Sequence, residues 1–431
     1  MKICVYGLWH LGSVTAASLA SLNHEVVGLD FDKETIRKLS CGKAPIFEPN
    51  LDSIILKKVN DKKLFFTSNI NTALGGSKIV WVTYDTPLKN NNNADISFVL
   101  NKIKKIIPYV LNNTTILISS QLPVGSTKNL EEWTKKFFYK KKIKFAYSPE
   151  NLILGKSIKS FLQPERIIMG IRENCSKIIL NKLLSFAEKK IIFMSIESAE
   201  MVKHSINSFL ATSVVFANEI ASICEAVGAD AKQVEKGLKS EIRIGPKAYL
   251  SPGTSFAGGT LERDLNFLKI IGKKNNIQLS MLRSVKKSND HHKLWIKKKI
   301  LKNFTFLKNL NIGIWGLTYK PNTNTLRNSL VVDLCFWLSK KEVNLYIHDP
   351  VVKDLPIQFN KLKKINKFKN CFEMLKKLDI LIIATKYSEY EKATKKINNF
   401  CKKDLTIIDP NRILIDNIFN KNIKYIAVGS L

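Results

Sequence analysis

The stretch CVYGLWHLG, Cys4 to Gly12, decides the fold of the N-terminal part of the chain. An apolar run ends at Gly7, a second glycine follows at Gly12, and helical periodicity begins there, as in a strand, a tight turn and a helix. In the dinucleotide-binding pattern G-x-G-x-x-G, the middle glycine lets the backbone approach the pyrophosphate. Trp9 stands at that position, where its side chain competes with phosphates for space. We therefore predict an altered dinucleotide-binding turn.

An acidic residue lies where the second strand of such a unit ends. EVVGLDFD, residues 25–32, reads as a strand with Asp30 near its end, about twenty residues after the turn. A carboxylate there accepts hydrogen bonds from the adenosine ribose and disfavours a 2′-phosphate, so the predicted cofactor is NAD. The Trp9 indole must then swing aside or donate its N–H to a phosphate. We expect weak NAD affinity, or a nicotinamide displaced toward a different carbon of the substrate.

Strand-like and helical segments alternate along the first part of the chain, which predicts a doubly wound α/β sheet. The segment 198–227 is helical and nearly unbroken, too long for a crossover helix. NIGIWGLTYKP, from Asn311, and NLYIHDP, from Asn344, echo the two N-terminal strands. This internal repeat predicts a second, C-terminal Rossmann-like lobe.

The composition, at 45% hydrophobic and 24% charged residues, is that of a globular protein. We find no apolar run near the length of a membrane span and no signal peptide, so we expect a cytoplasmic protein without a membrane partner.

The net charge of +33 comes from short lysine clusters interleaved with apolar residues, which favours solvated faces over a nucleic-acid site. The seven cysteines are dispersed and have no metal-ligand spacing with the six histidines, so we expect reduced thiols and no metal site.

Further segments resemble the UDP-glucose/GDP-mannose dehydrogenase family, in that family's order along essentially the whole chain. GKAPIFEPNL, residues 42–51, is similar to its G-x-x-P-x-x-E-P-x-L segment near the substrate, and SPENLILGKSI, 148–158, to its PE-F-L-x-E-G stretch. EMVKHSINSFLATSVVFANE, 200–219, resembles its helix that carries a lysine and an asparagine. Three more signatures are matched by IRIGPK, GLTYKPNTNTLRNS and IIDPNRIL.

The resemblance implies an NAD-dependent nucleotide-sugar dehydrogenase that oxidises a sugar hydroxyl, the C6 alcohol in first place, of a UDP- or GDP-sugar. It implies a homodimer formed through the central helix. The expected domains are an NAD-binding domain over 1–196, a central helical dimerisation domain over 197–300 and a nucleotide-sugar-binding domain over 301–431.

Four predicted catalytic residues match the family's motifs. Lys203 and Asn207 are spaced i, i+4 and so project from one face of a helix, where an ammonium and an amide can stabilise an oxyanion on the sugar. Glu150 occupies the position of the family's general acid or base, and Asp264 matches the acid that ends its cysteine loop.

The main departure from the family lies in that loop. The family has GGSCFPKD, whereas this chain reads AGGTLERD, 257–264, which puts Thr260 at the position of the catalytic cysteine and Arg263 at that of the lysine. A thiol with a pKa of about 8.5 supplies some thiolate at neutral pH, but a threonine hydroxyl needs an adjacent base. Gln121 and Leu154 replace two further residues that support the aldehyde-to-acid half of the reaction.

We therefore predict an oxidation that stops at the carbonyl. Two alternatives remain open at this stage. The protein can form the uronic acid through a non-covalent hydrate activated by Glu150, or it can be a catalytically inactive homologue that binds a nucleotide sugar or a protein partner.

The resemblance also assigns binding residues position by position. The predicted cofactor site consists of Gly7, Trp9, His10, Leu11, Gly12, Asp30, Thr86 and Gln121. The predicted substrate site consists of Asn151, Leu152, Lys203, Asn207, Arg243, Phe256, Gly258, Lys320 and Arg412, with Arg243 reaching the substrate of the partner subunit. Family acids are replaced by Asn324 and Thr325, and Arg412 is shifted by one position, so the nucleotide and the sugar stay open.

Overall fold

The structure, a computed structural model, describes residues 1–87, 94–150, 152–257, 259–318, 326, 329–355, 357–362, 364–401, 404–414 and 418–430. The chain folds into two compact units, Met1–Ser205 and Ile206–Leu431. The three-domain division drawn from the sequence stays a prediction.

The N-terminal unit is built on a sheet of eight described strands in the order β3-β2-β1-β4-β5-β6-β7-β8. All neighbouring strands are parallel except β6 and β7, which are antiparallel. The first six strands of the chain, in the order 3-2-1-4-5-6, have the order of a Rossmann-type sheet. The strands are β1 Lys2–Tyr6, β2 Glu25–Leu29, β3 Leu64–Thr67, β4 Ile79–Val82, β5 Thr115–Ile118, β6 Lys144–Tyr147, β7 Ile167–Ile171 and β8 Ile191–Met194.

Helices cover both faces of this sheet, as the alternation along β1 shows. Ile3 and Val5 pack in one hydrophobic cluster, while Cys4 and Tyr6 pack in another, and all four are fully buried. A strand that is apolar on both faces requires cover on both sides, which explains its unbroken apolar run. The helices are α1 His10–Ser21, α2 Lys33–Ser40, α3 Leu51–Asn60, α4 Ile70–Leu74, α5 Ile96–Ile106, α6 Ser126–Phe137, α7 Ser157–Leu162 and α8 Cys175–Leu183.

The C-terminal unit contains a second parallel sheet in the order β11-β10-β9-β12-β13-β14. Its strands are β9 Asn311–Trp315, β10 Asn344–His348, β11 Ile365–Lys367, β12 Ile380–Ile383, β13 Leu405–Ile408 and β14 Ile423–Ile426. The remaining helices are α9 Ile196–Val227, α10 Ala231–Ser240, α11 Thr260–Lys274, α12 Ser280–His292, α13 Trp295–Asn303, α14 Leu330–Ser339, α15 Ser388–Glu391 and α16 Thr394–Phe400. The predicted fold class, two Rossmann-like sheets with a long central helix, is confirmed.

The internal repeat extends to individual hydrogen bonds. In the first sheet, Gly7 has a φ of +98° and the N–H of Leu8 donates to Asp30 at 2.8 Å. In the second sheet, Gly316 has a φ of +88° and the N–H of Leu317 donates to Asp349 at 2.7 Å. Each glycine adopts a conformation that other residues rarely reach, and each acid fixes the turn that follows the first strand.

Helix α9 departs from one sequence expectation. With 32 residues and a mean hydropathy of 1.4 in its most apolar window, it is long and apolar enough to cross a membrane by length and composition alone. The expectation that no segment reaches this length was therefore wrong for α9. The core helix of a globular protein passes the same test, so α9 is weak evidence for a membrane.

Candidate active site

At both ends of the turn between β1 and α1, at Gly7 and Gly12, there is no space for any side chain. A Cβ atom at Gly7 would lie 2.7 Å from the ring of Tyr84, and one at Gly12 would overlap the carbonyl oxygen of Gly7. Helix α1 therefore starts as close to β1 as its backbone allows, with the first N–H groups of the helix at the carboxyl end of the sheet. This arrangement fits the pyrophosphate of a dinucleotide.

Trp9 directly precedes helix α1 and is 49% exposed. Its side chain makes no capping hydrogen bond to the helix. Because the indole is only half covered, the core does not lock it across the turn. Its effect on NAD stays a prediction.

Asp30 follows β2 at the position expected for a ribose-binding acid. Its carboxylate accepts hydrogen bonds from the N–H of Leu8 at 2.8 Å and from that of Phe31 at 2.7 Å. Further along the same edge of the sheet, the Thr86 hydroxyl donates to the carbonyl oxygen of Gln121 at 2.6 Å. The predicted cofactor residues of β1, β2, β4 and β5 thus follow the carboxyl ends of adjacent strands, where ligands bind in doubly wound sheets.

A buried carboxylate outside the predicted site joins three of the matched motifs. Glu48, of the PIFEP segment, lies 3.1 Å from Nε2 of His10, the first residue of α1. It also accepts from the N–H of Gly155 at 3.0 Å and from that of Ser157 at 2.7 Å. Burial alone would raise the pKa of Glu48, but these hydrogen bonds outweigh it and hold the pKa below its ordinary value. In the sequence, the glutamate within GKAPIFEPNL was the only sign of this contact. Its partners lie 38 and 107 to 109 residues away, so the sequence pattern does not reveal them.

Glu150 and Lys203 lie together in the N-terminal unit. The ammonium of Lys203 donates to the carbonyl oxygen of Glu150 at 2.6 Å and lies 3.9 Å from its carboxylate. The carboxylate accepts from the N–H of Leu152 at 2.5 Å. A cavity of about 80 Å³ is lined by Glu150, Leu152, Leu11 of α1 and Ser148, among others. The predicted acid or base is thus beside the predicted oxyanion-stabilising cation and near the cofactor helix.

Asn207 and Asp264 lie together in the C-terminal unit. The amide of Asn207 donates to the carboxylate of Asp264, and both side chains are buried. Thr260 is the first residue of α11, so Asp264 follows it by about one helical turn. The sequence has no cysteine between Cys224 and Cys335, so no thiol lies on this loop.

A cavity of about 470 Å³ within the C-terminal unit is large enough for a nucleotide-sized ligand. Phe256 lines it, and its backbone exchanges two 3.0 Å hydrogen bonds with the buried amide of Asn289. Asn411 lies beside the same loop, where its amide oxygen accepts from the N–H of Thr254 at 2.9 Å. Asn411 was not among the predicted substrate residues, although it stands in the altered IIDPNRIL signature.

The remaining predicted substrate residues lie apart or outside the described residues. Arg412 forms an ion pair with Asp230 at 2.8 Å and donates to the carbonyl of Gly429. Arg243 is largely exposed and pairs with Glu241, two residues away, at 2.9 Å. The residues outside the described ranges are Asn151, Gly258 and Lys320. The roles of all predicted site residues stay predictions.

Two Rossmann-like sheets, the first with a glycine turn that fits a dinucleotide, are typical of nucleotide-dependent oxidoreductases. Comparison with known proteins is more specific. Models of the UDP-glucose/GDP-mannose dehydrogenase family match residues 1–187 with the NAD-binding domain, 197–291 with the central domain and 313–416 with the UDP-binding domain. The chain belongs to this family of NAD-dependent nucleotide-sugar dehydrogenases, which confirms the predicted enzyme class and cofactor.

Individual relatives match over all or nearly all of their length. The chain is 31% identical over 439 residues to a UDP-glucose 6-dehydrogenase of Rickettsia prowazekii (strain Madrid E), with 100% of both chains covered. It is 29% identical over 434 residues to the UDP-glucose 6-dehydrogenase TuaD of Bacillus subtilis (strain 168), covering 99% of this chain and 93% of TuaD. A solved UDP-glucose dehydrogenase of the hyperthermophilic archaeon Pyrobaculum islandicum shares the fold, with a TM-score of 0.87, 22% identity and coverage of 100% of this chain and 98% of that one.

Proposed function

We propose that the protein oxidises a hydroxyl of a UDP- or GDP-sugar, the C6 alcohol in first place, and releases the carbonyl compound. Thr260 is the observation that carries this proposal, because it stands where the family places its nucleophilic cysteine. UDP-glucose is the first substrate to test, since the two curated relatives described above, covered over 100% and 93% of their length, are UDP-glucose 6-dehydrogenases.

We assign the first oxidation to Lys203, Asn207 and Glu150. The alcohol loses its hydroxyl proton and the hydride on its carbon, and NAD held at the turn between β1 and α1 would supply the hydride acceptor. Lys203 and Asn207 are suited to stabilise the developing alkoxide, because an ammonium and an amide both donate to an oxyanion. Glu150, whose carboxylate lies 3.9 Å from the Lys203 ammonium, is the group proposed to take the hydroxyl proton.

The second oxidation lacks the thiol nucleophile of the family. An aldehyde must first add a thiol or water, because only the resulting tetrahedral carbon carries a second hydride to transfer. A threonine hydroxyl adds to a carbonyl only with an activating base. On α11, Asp264 accepts instead from the amide of Asn207, and the nearer Glu262 pairs with Lys286 at 2.9 Å. We infer that the aldehyde leaves before a second hydride transfer.

The test is product analysis with a matched variant. The purified wild-type protein and Thr260→Cys are incubated with NAD and a panel of UDP- and GDP-sugars, and products are identified by mass spectrometry. We expect a carbonyl product from the wild type and a gain of uronic acid in Thr260→Cys. Uronic acid from the wild type would establish a non-covalent route, and absence of turnover across the panel would support a binding protein.

We also propose that the protein is a cytoplasmic homodimer formed through α9. Four exposed apolar residues follow one another along this helix at spacings of seven, seven and four residues, and so form one stripe: Phe209, Phe216, Ile223 and Val227. A second copy would cover the stripe by helix packing. Light scattering should give twice the 49.0 kDa chain mass, and Phe216→Glu should reduce it.

A further inference from the structure

Three potential metal ligands meet in the C-terminal unit at a place that the family resemblance does not mark. His348 ends β10, Cys371 follows β11, and Glu389 lies on α15 after β12. Their ligating nitrogen, sulfur and oxygen atoms all lie within 4.8 Å of one another. The sequence separations of 23 and 18 residues conceal this cluster, because only the parallel sheet brings the three segments to one edge.

The cluster has two buried ligands and one ligand that is partly exposed to solvent. His348 is 4% exposed and Cys371 is 2% exposed, whereas the Glu389 side chain is 42% exposed. Two ligands are therefore held by the core, and the third stands where an ion can enter. A thiolate and a carboxylate together balance the charge of a divalent ion, which a buried site requires.

The separation of the ligands suits a tetrahedral ion. Nδ1 of His348 lies 3.5 Å from a carboxylate oxygen of Glu389. Two ligands at about 2.0–2.1 Å from zinc in tetrahedral geometry are about 3.4 Å apart, so the imidazole and the carboxylate need little movement to share an ion.

Tyr390 does not block the imidazole nitrogen. Its hydroxyl lies 2.7 Å from Nδ1 of His348, and the backbone carbonyl oxygen of His348 is a second acceptor at 3.4 Å. The hydroxyl can therefore turn to the carbonyl when Nδ1 takes an ion.

We propose that His348, Cys371 and Glu389 bind one divalent ion of the zinc class, with water as the fourth ligand. Cysteine, histidine and carboxylate are the ligands that zinc takes in proteins. The ion joins the segments that follow β10, β11 and β12, and it lies next to Asp349, whose carboxylate holds the turn at Leu317. Its role is to fix the C-terminal lobe, and it takes no part in the proposed oxidation.

The test uses Co²⁺ as a spectroscopic probe and Zn²⁺ as its competitor, on the full-length chain freed of metal by chelation. We expect one equivalent of Co²⁺ per chain with a thiolate-to-cobalt charge-transfer band, displaced by Zn²⁺. Cys371→Ser should lose the band. Two matched controls should keep it: Cys335→Ser, a buried thiol of the same unit, and Cys175→Ser, an exposed thiol.

A second variant guards against misfolding of Cys371→Ser. Glu389→Gln changes a partly exposed side chain and leaves both buried ligands in place. It should bind Co²⁺ at least about tenfold more weakly, since loss of outer-sphere partners alone costs about 10- to 100-fold. Less than one equivalent of Co²⁺, or a band that survives Cys371→Ser or depends on Cys175, would overturn the proposal.

Discussion

Replacing Glu48 tests whether one buried carboxylate holds the cofactor turn and the loop after Glu150 in place. In Glu48→Ala, the N–H of Ser157 loses its 2.7 Å acceptor in the interior, and the N–H of Gly155 and Nε2 of His10 lose theirs. Hydrogen bonds to a charged group are worth about 1.5–3 kcal/mol each. Because the bonds share one carboxylate they do not add fully, so we expect a loss of about 3–5 kcal/mol in the free energy of unfolding.

The assay is urea unfolding of the full-length chain, followed by tryptophan fluorescence, together with NAD titration. Glu34→Ala is the matched control, because Glu34 is an exposed carboxylate that pairs with Arg37 on α2. We expect a markedly lower midpoint and weaker NAD binding for Glu48→Ala, and no measurable change for Glu34→Ala. Equal midpoints for the two variants would refute the role assigned to Glu48.

Three further predictions concern the same region. Gly12→Ala should abolish NAD binding, because its Cβ would overlap the Gly7 carbonyl oxygen. Gly237→Ala should leave NAD binding unchanged, because its Cβ would have no other atom within 4 Å. Both variants are measured by the thermal shift on adding NAD. Trp9→Gly should tighten NAD binding about tenfold, or about 1.4 kcal/mol, in a calorimetric titration, and an unchanged Kd would mean that the indole does not compete with the phosphates. The pKa of Glu48 is lower in the folded than in the unfolded chain, so its stabilisation is complete above about pH 4.3 and is lost as the pH falls through the folded value. Glu48→Gln should therefore lose less stability than the wild type between about pH 5 and pH 3 in urea titrations, and parallel curves would contradict this.

The fold was predictable because its signals are local. Apolar runs such as Lys2–Tyr6 end at glycines with positive φ, and the same pattern returns at Asn311–Trp315. The alternation of strands and helices then fixes a doubly wound order. The Asn207–Asp264 pair was harder, since 57 residues separate its members and only the motif resemblance nominated both.

Other features of the site depend on contacts that no local pattern encodes. Glu48 reads as one acid in a loop until the fold places His10 and Ser157 around it. In the sequence, His348 is an ordinary strand end and Cys371 is a lone thiol. Their separation of 23 residues matches no metal-binding motif, because the two residues meet only across the sheet. Helix α9 has enough polar residues to hide its apolar window when only uninterrupted runs are counted.

Whether the oxidation ends after one hydride transfer can be measured without any variant. The quantity is the number of NADH molecules formed per nucleotide sugar consumed, with wild-type protein, excess NAD and a limiting amount of the best substrate. We predict one NADH per sugar, with the carbonyl as the final product. Two NADH per sugar, with the uronic acid accumulating, would contradict this and show that the chain completes the second oxidation without the cysteine.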